Sequence, residues 1–259
     1  LLGNKPMFDE FIPLVRPTLP PYDERLARQV NDLFETVMLS KGKYLREFEL
    51  RLSAHLGVKH AVATSSCTLG LLLTFAGLGL TGDVIVPSFT FMATVHPLSW
   101  VNVDPVFVDI DPATWNVDPA EVEAAITDRT SGIVAVHNFG NPAPVAELEL
   151  IASRHDLKLI FDSAHGFGSL YRGKPVGGFG DAEVFSLSPT KLLVAGEGGI
   201  VATDNDDLAE HIRLGREYGN PGDYGSNFPG LNARLPEFNA VLGLRGIETL
   251  EDNTIRRNE

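Results

Sequence analysis

The chain has 259 residues, 44% of them apolar and 21% charged, with a formal charge of −13. That is ample for one large α/β domain with a buried core, while so acidic a surface excludes a general nucleic-acid binder, because phosphate backbones repel it. No run approaches the roughly 20 apolar residues of a membrane span, no basic flank precedes an apolar run at the N-terminus, and a single cysteine, Cys67, excludes an internal disulfide framework, so a cytoplasmic enzyme with no membrane partner is the expectation.

In chain order, residues 1–22 read as an N-terminal arm. Two amphipathic helices follow, Asp23–Met38 and Leu45–Leu56, joined by the turn Ser40-Lys41-Gly42. Short runs rich in β-branched residues then recur: His60–Thr64, Asp83–Pro87, Val106–Ile110, Gly132–Val136, Lys158–Asp162, Ala182–Ser186 and Gly199–Thr203. Between most of them lie segments of helical period, Thr68–Leu78, Phe91–Val101, Pro119–Ile126 and Pro144–His155. Strands alternating with helices predict a three-layer α/β/α domain with a mainly parallel sheet. Runs such as Val84-Ile85-Val86 are apolar on both parities, as strands covered on both faces must be. Asn220–Gly230, rich in Gly, Pro and Asn, reads as a loop. Leu235–Leu250 is helical again, and Glu251–Glu259 reads as a charged tail.

In an open parallel sheet, ligands bind where the strands end. Three strand ends are polar: Thr64-Ser65-Ser66-Cys67-Thr68, Asp162-Ser163-Ala164-His165, and Ser186 running on to Lys191 and Gly196-Glu197-Gly198-Gly199. Each has a plain structural reading. Ser66 before a helix is first an N-cap, worth about 1 kcal/mol, although such a cap leaves free amides suited to a phosphate. A lone strand-end carboxylate is usually a cap or a solvated group, and a lone lysine after a turn usually a surface lysine. Their coincidence on one sheet edge is what points to chemistry.

From about Phe11 onward the chain resembles the DegT/StrS family of sugar aminotransferases, of the aspartate-aminotransferase-like fold (fold type I). The resemblance rests on Ile12-Pro13-Leu14, Ser65-Ser66-Cys67-Thr68, Pro87-Ser88-Phe89-Thr90-Phe91-Met92-Ala93-Thr94, Pro105-Val106-Phe107-Val108-Asp109, Asp162-Ser163-Ala164-His165, Ser186-Leu187-Ser188-Pro189-Thr190-Lys191, Gly196-Glu197-Gly198-Gly199 and Gly230-Leu231-Asn232-Ala233-Arg234, in family order. It implies pyridoxal 5′-phosphate as cofactor, with Lys191 as its covalent attachment and Asp162 on its ring nitrogen. It also implies Phe91 stacked on the ring and His165 beside it. Cys67, Thr68 and Ser186 would hold the phosphate. Asn232 would reach the phosphate of a neighbouring subunit, implying a homodimer with shared sites. The implied reaction moves an amino group from an amino acid, in much of the family glutamate, to a nucleotide-linked ketosugar, with Lys191 moving the proton. Arg234 and Arg216 are candidates for the nucleotide contacts.

The chain departs from the family at Ser188, where an aromatic residue or histidine is common, and at Cys67, where glycine or alanine is common; both bear on the sugar pocket. The family also continues into a small C-terminal domain. Residues 23–245 are thus expected to form the cofactor-binding large domain, and 246–259 the start of a small domain mostly absent here. Three alternatives share the fold. One is an enzyme that uses the same cofactor on amino acids alone, such as a lyase, against which the Thr90–Thr94 segment and the Asn232 motif count. Related sugar dehydratases carry histidine in place of the lysine, so Lys191 favours transamination. A catalytically silent regulator needs neither Lys191 nor Asp162. A nucleotide-binding oxidoreductase is poorer still, because no G-x-G-x-x-G lies between a strand and a helix; Gly177-Gly178-Phe179-Gly180 precedes a strand instead.

Overall fold

Alternation of side chains along seven strands builds the whole molecule. The computed structural model describes residues 13, 16–223 and 225–259. Ile12, Leu14 and most of the expected arm 1–22 lie outside them. Helices α1 (Glu24–Thr36) and α2 (Lys43–Leu56) precede the sheet strands β1 (His60–Thr64), β2 (Asp83–Pro87), β3 (Asp104–Val108), β4 (Thr130–Val136), β5 (Lys158–Asp162), β8 (Ala182–Ser186) and β9 (Gly199–Thr203). Between them run α3 (Cys67–Gly77), α4 (Met92–Trp100), α5 (Pro119–Ala124), α6 (Val145–His155) and a small hairpin, β6 (Leu170–Tyr171) with β7 (Lys174–Pro175). The chain continues through α7 (Asp206–Gly215), α8 (Glu237–Glu248) and α9 (Leu250–Asn258).

The sheet order is β1-β9-β8-β5-β4-β2-β3. Every pairing from β8 through β3 is parallel, and β9 alone runs backwards between β8 and β1. Val62, Val84, Val86, Val134, Ile160, Val184 and Val201 face one layer with α3 and α7. The alternate residues Ala63, Phe185 and Ile200 meet α1, α2 and α8, while Ile85, Ile133, Leu159 and Phe161 meet α5 and α6. This is the expected three-layer α/β/α domain. Among the described residues, no helix is long and apolar enough to cross a membrane.

Three local expectations need correction. The third strand begins two residues earlier than expected, because Asp104 pairs with Asp83 and Ile110 instead bridges Val117 across a turn. Glu251–Glu259 is no loose tail: α9 occupies most of it, with Leu250 and Asn253 buried. Helix α7 is not among the expected elements, although Asn205 caps it by accepting from the Leu208 N–H and Asp206 and Asp207 suit its N-terminal dipole.

Reversal of β9 decides where the chain between β8 and β9 runs. A parallel neighbour needs a crossover, whereas an antiparallel one can be joined directly. The link from β8 to β9, residues 187–198, therefore stays at the edge where β1, β2, β4, β5 and β8 all end.

Candidate active site

That edge holds a cavity of about 580 Å³. Seven of the eight residues singled out from the sequence line it: Cys67, Thr68, Phe91, Asp162, His165, Ser186 and Lys191. The eighth, Asn232, is exposed, bridges Glu217 and does not line the cavity of its own chain.

The floor is the start of α3. Thr64 Oγ1 donates to the Ser66 carbonyl at 2.9 Å, and Ser66 Oγ caps the helix by accepting from the Leu69 N–H at 3.2 Å. The Cys67 and Thr68 amides, in the first turn, have no helical acceptor and are available to an anion. Gly199 opens β9 against this turn. A Cβ there would lie 2.5 Å from the Cys67 nitrogen, so glycine is what lets the strand approach. Ser186 Oγ, at the end of β8, joins the same side of the cavity and donates to Ser188 Oγ at 3.3 Å.

Asp162 ends β5, is 4% exposed, and has both oxygens engaged. Oδ1 accepts from the Ala164 N–H at 3.0 Å and Oδ2 from Thr94 Oγ1 at 2.7 Å. Thr94 spends its one hydroxyl hydrogen on Asp162, so Thr90, 2.7 Å away, donates to Thr94. Burial raises the Asp162 carboxyl above its ordinary range, against the Thr94 and Ala164 bonds and the charges of His165 and Lys191. A carboxylate held this way is poised for a cationic partner inside the cavity. Burial also lowers the Lys191 amine, with the Cys67 and Asp162 charges opposing and Arg257 assisting. A depressed amine is a better nucleophile at neutral pH. Burial likewise lowers His165, whose ring stacks on Phe139 at 6.2 Å and 12°. Phe91, 71% exposed, offers its ring from the N-cap of α4.

Residues not singled out from the sequence complete the site. Phe89, within a family motif, and Asn138 and Phe139, outside any, line the cavity. Asn138 ties three loops together, donating through Nδ2 to the carbonyls of Trp115 and Phe89 and through its backbone N–H to Asn116 Oδ1. Beneath Asp162 lies a buried pair, His137 and Glu183. Glu183 Oε1 accepts from the Gly177 and Phe179 amides at 2.6 and 3.0 Å, and Oε2 from Ser163 Oγ at 2.7 Å and His137 Nε2 at 3.2 Å. His137 Nδ1 accepts from the Ala143 N–H at 2.9 Å, which places the ring hydrogen on Nε2. Its backbone N–H donates to the Asp162 carbonyl at 3.1 Å. A histidine just past β4 and a glutamate in β8, far apart in sequence, carry no spacing that announces this. The Gly177–Gly180 turn, glycine-rich enough to suggest a phosphate loop, turns its Gly177 and Phe179 amides onto Glu183 and its Gly180 amide onto Glu149. Arg216 and Arg234 are also committed elsewhere: Arg216 donates to Glu49 and the Ala63 carbonyl at 2.6 Å each, and Arg234 to Glu217 at 3.1 Å.

Free amides and a hydroxyl for a phosphate, a buried carboxylate awaiting a cationic nitrogen, an exposed aromatic face and a depressed lysine together fit pyridoxal phosphate. Comparison with known proteins agrees. Residues 20–259 match the model of the DegT/DnrJ/EryC1/StrS aminotransferase family. The chain is 36% identical to a GDP-perosamine synthase of Caulobacter vibrioides over 95% of its own length and 68% of the relative's. It is 38% identical to a pleiotropic regulatory protein of Geobacillus stearothermophilus over 85% and 61%. Among solved structures it superposes on DesI, crystallised with its TDP-sugar product, with a TM-score of 0.91 and 43% identity, covering 99% of this chain and 66% of that one. The chain thus spans about two thirds of the length of these relatives. With fold, site and sequence in agreement over almost its whole length, the chain belongs to the DegT/DnrJ/EryC1/StrS aminotransferase family.

Proposed function

We propose that this chain is the cofactor-binding part of an aminotransferase that moves an amino group from an amino acid, glutamate by preference, to a nucleotide-linked ketosugar. The observation that carries the reading is the convergence of Lys191, Asp162 and the α3 N-terminus on one cavity. When bound, pyridoxal phosphate supplies an electron sink for the carbon that loses its proton.

The residues divide the work by position. The Cys67 and Thr68 amides and Ser186 Oγ anchor the phosphate dianion where the helix dipole favours it. Asp162, steered by Thr94, holds the ring nitrogen in its protonated form. Phe91 would cover the ring, and His165, stacked on Phe139, would lie beside it. Lys191 would hold the cofactor covalently, and its free amine would carry the proton as general base and acid. Relatives named for GDP- and TDP-sugars support a nucleotide-linked acceptor.

On this reading the enzyme is a cytoplasmic homodimer. Exposed Asn232 completes the partner's phosphate site, residues 23–245 form the large domain and residues 246–259 begin the small one. A regulatory role is the second reading, favoured by the Geobacillus relative's name. The deciding experiment loads the enzyme with glutamate and then offers nucleotide ketosugars and simple keto acids separately. Return of the starting absorbance with ketosugars is expected. Return with keto acids alone would leave a plain amino-acid aminotransferase, and no conversion by glutamate would leave the regulator.

A further inference from the structure

A second cavity, of about 250 Å³, adjoins the first and shares Phe139, Ala164, His165, Thr190 and Lys191 with it. What it adds is Arg257, on α9. Among the described residues, Lys191 and Arg257 are the only lysine or arginine side chains lining either cavity. Arg257 Nη2 donates to the carbonyls of Lys191 and Thr190, at 2.9 and 3.4 Å. Neither Nη1 nor Nε has a protein acceptor among the described contacts. One edge of the guanidinium is thus pinned to the backbone that carries the reactive lysine, while the other donors stay open. Nη1 and Nε leave a permanently charged group with N–H donors free for a carboxylate oxygen, a charge-assisted hydrogen bond.

We propose that this smaller cavity is the subsite for the carboxylate of the amino-acid donor, and that Arg257 binds it. The inference rests on the amino-transfer reading and names where the donor is recognised. Bond counting favours the donor over the sugar's phosphates. In an α-amino acid the carboxylate is bonded to the very carbon that bears the nitrogen, and that nitrogen has to arrive where the Lys191 amine stands, so the carboxylate's anchor has to stand beside that lysine. The phosphates of a nucleotide-linked sugar hang from the anomeric carbon, two or more ring carbons from a keto group at C3 or C4. Volume agrees: the smaller cavity falls below the roughly 300–1,000 Å³ of sites for larger ligands, yet has room for a five-carbon dicarboxylate. In a chain of net charge −13, an anionic substrate needs a local cation. The Arg257 charge is close enough to add to the lowering that burial imposes on both Lys191 and His165.

The test uses the holoenzyme with Arg257→Met and Arg257→Lys, and two measurements. Calorimetric titration with glutarate, a dicarboxylate that has no amine to transfer, reads binding alone. Single-turnover absorbance compares glutamate with a primary amine that lacks a carboxylate. Arg257→Met is expected to weaken glutarate about tenfold or more, the scale of a lost charge-assisted hydrogen bond, and to raise KM for glutamate more than it lowers kcat. Arg257→Lys, which keeps the charge but not the separate donors that grip the Lys191 loop and face the cavity at once, should fall between. The carboxylate-free amine should react with all three proteins at rates that do not track the loss with glutamate. Equal glutarate affinity in all three would overturn the proposal, as would an equal loss with the carboxylate-free amine, which would mean that the Lys191 loop had been deformed. A loss confined to the nucleotide-sugar half-reaction would overturn it too, by assigning Arg257 to phosphate. If the unaltered enzyme transfers no amino group to ketosugars while glutarate still needs Arg257, the functional reading fails and the subsite stands.

Discussion

Replacing Glu183 by Gln keeps the side chain's volume and exchanges one acceptor oxygen for an NH2 group. Glu183 is fully buried, and four donors converge on it. In the variant, the amide oxygen should stay with the Gly177 and Phe179 amides, which cannot turn away. The NH2 then faces Ser163 Oγ and His137 Nε2. Ser163 can rotate its hydroxyl and accept. His137 cannot, because moving its hydrogen to Nδ1 would break the bond from the Ala143 N–H. One buried donor is left facing another, a cost of about 1–3 kcal/mol. At about 2–4 °C per kcal/mol for a domain of this size, Glu183→Gln should lower Tm by about 4–8 °C at the middle of that range. Calorimetry of the apo-protein measures it. A double-mutant cycle with His137→Phe isolates the pair: with the ring nitrogen gone, Glu183→Gln should cost far less. An unchanged Tm, or an equal cost in both backgrounds, would refute the account. Because His137 holds the Asp162 carbonyl and Ser163 follows it in the chain, the variant should also release cofactor faster.

Borohydride reduction and peptide mapping should place the cofactor on Lys191, and an adduct on Lys174 or Lys158 would be fatal to the assignment. Because burial lowers Lys191, capture of cofactor by the apo-protein should rise with pH and level off below the range where an exposed lysine titrates. Asp162→Asn should nearly abolish amino transfer yet stabilise the apo-protein at neutral pH. The carboxyl of Asp162 is raised on folding, so its contribution is fully present below its unfolded pKa and is lost as pH rises through the folded one. A plot of the Tm difference, variant minus parent, should therefore climb from the acid side toward neutrality; a flat or falling plot would contradict the burial argument. Ser66→Ala should cost about 1 kcal/mol through the lost cap and, by fraying α3, weaken inorganic phosphate binding to the apo-protein; unchanged phosphate affinity would move the phosphate site away from that turn.

The amino-acid sequence by itself determined the layered α/β class, most of the strands, and the edge on which the chemistry lies. Strand and helix periods are local, and polar residues at strand ends stand out against apolar runs. Family motifs added Lys191, Asp162, His165, Cys67, Thr68, Phe91 and Ser186, and the fold brings these seven to one cavity. Only the tertiary structure decided what depends on contacts between distant segments. The reversal of β9 keeps the Lys191 link at the carboxyl edge, and a run such as Gly199–Thr203 reads alike in either direction. The Thr90–Thr94–Asp162 chain joins residues up to 72 positions apart in register only after the sheet forms. Glu183 in the middle of an apolar strand reads as a flaw until His137, Ser163 and the Gly177 turn surround it. Arg216 and Arg234, plausible phosphate ligands on charge alone, are consumed by Glu49 and Glu217. Arg257, in what reads as a charged tail, is folded back onto the Lys191 carbonyl. Charge is written in the sequence, but its partner is chosen by packing, because a guanidinium pairs with whatever acceptor the fold brings within about 3 Å.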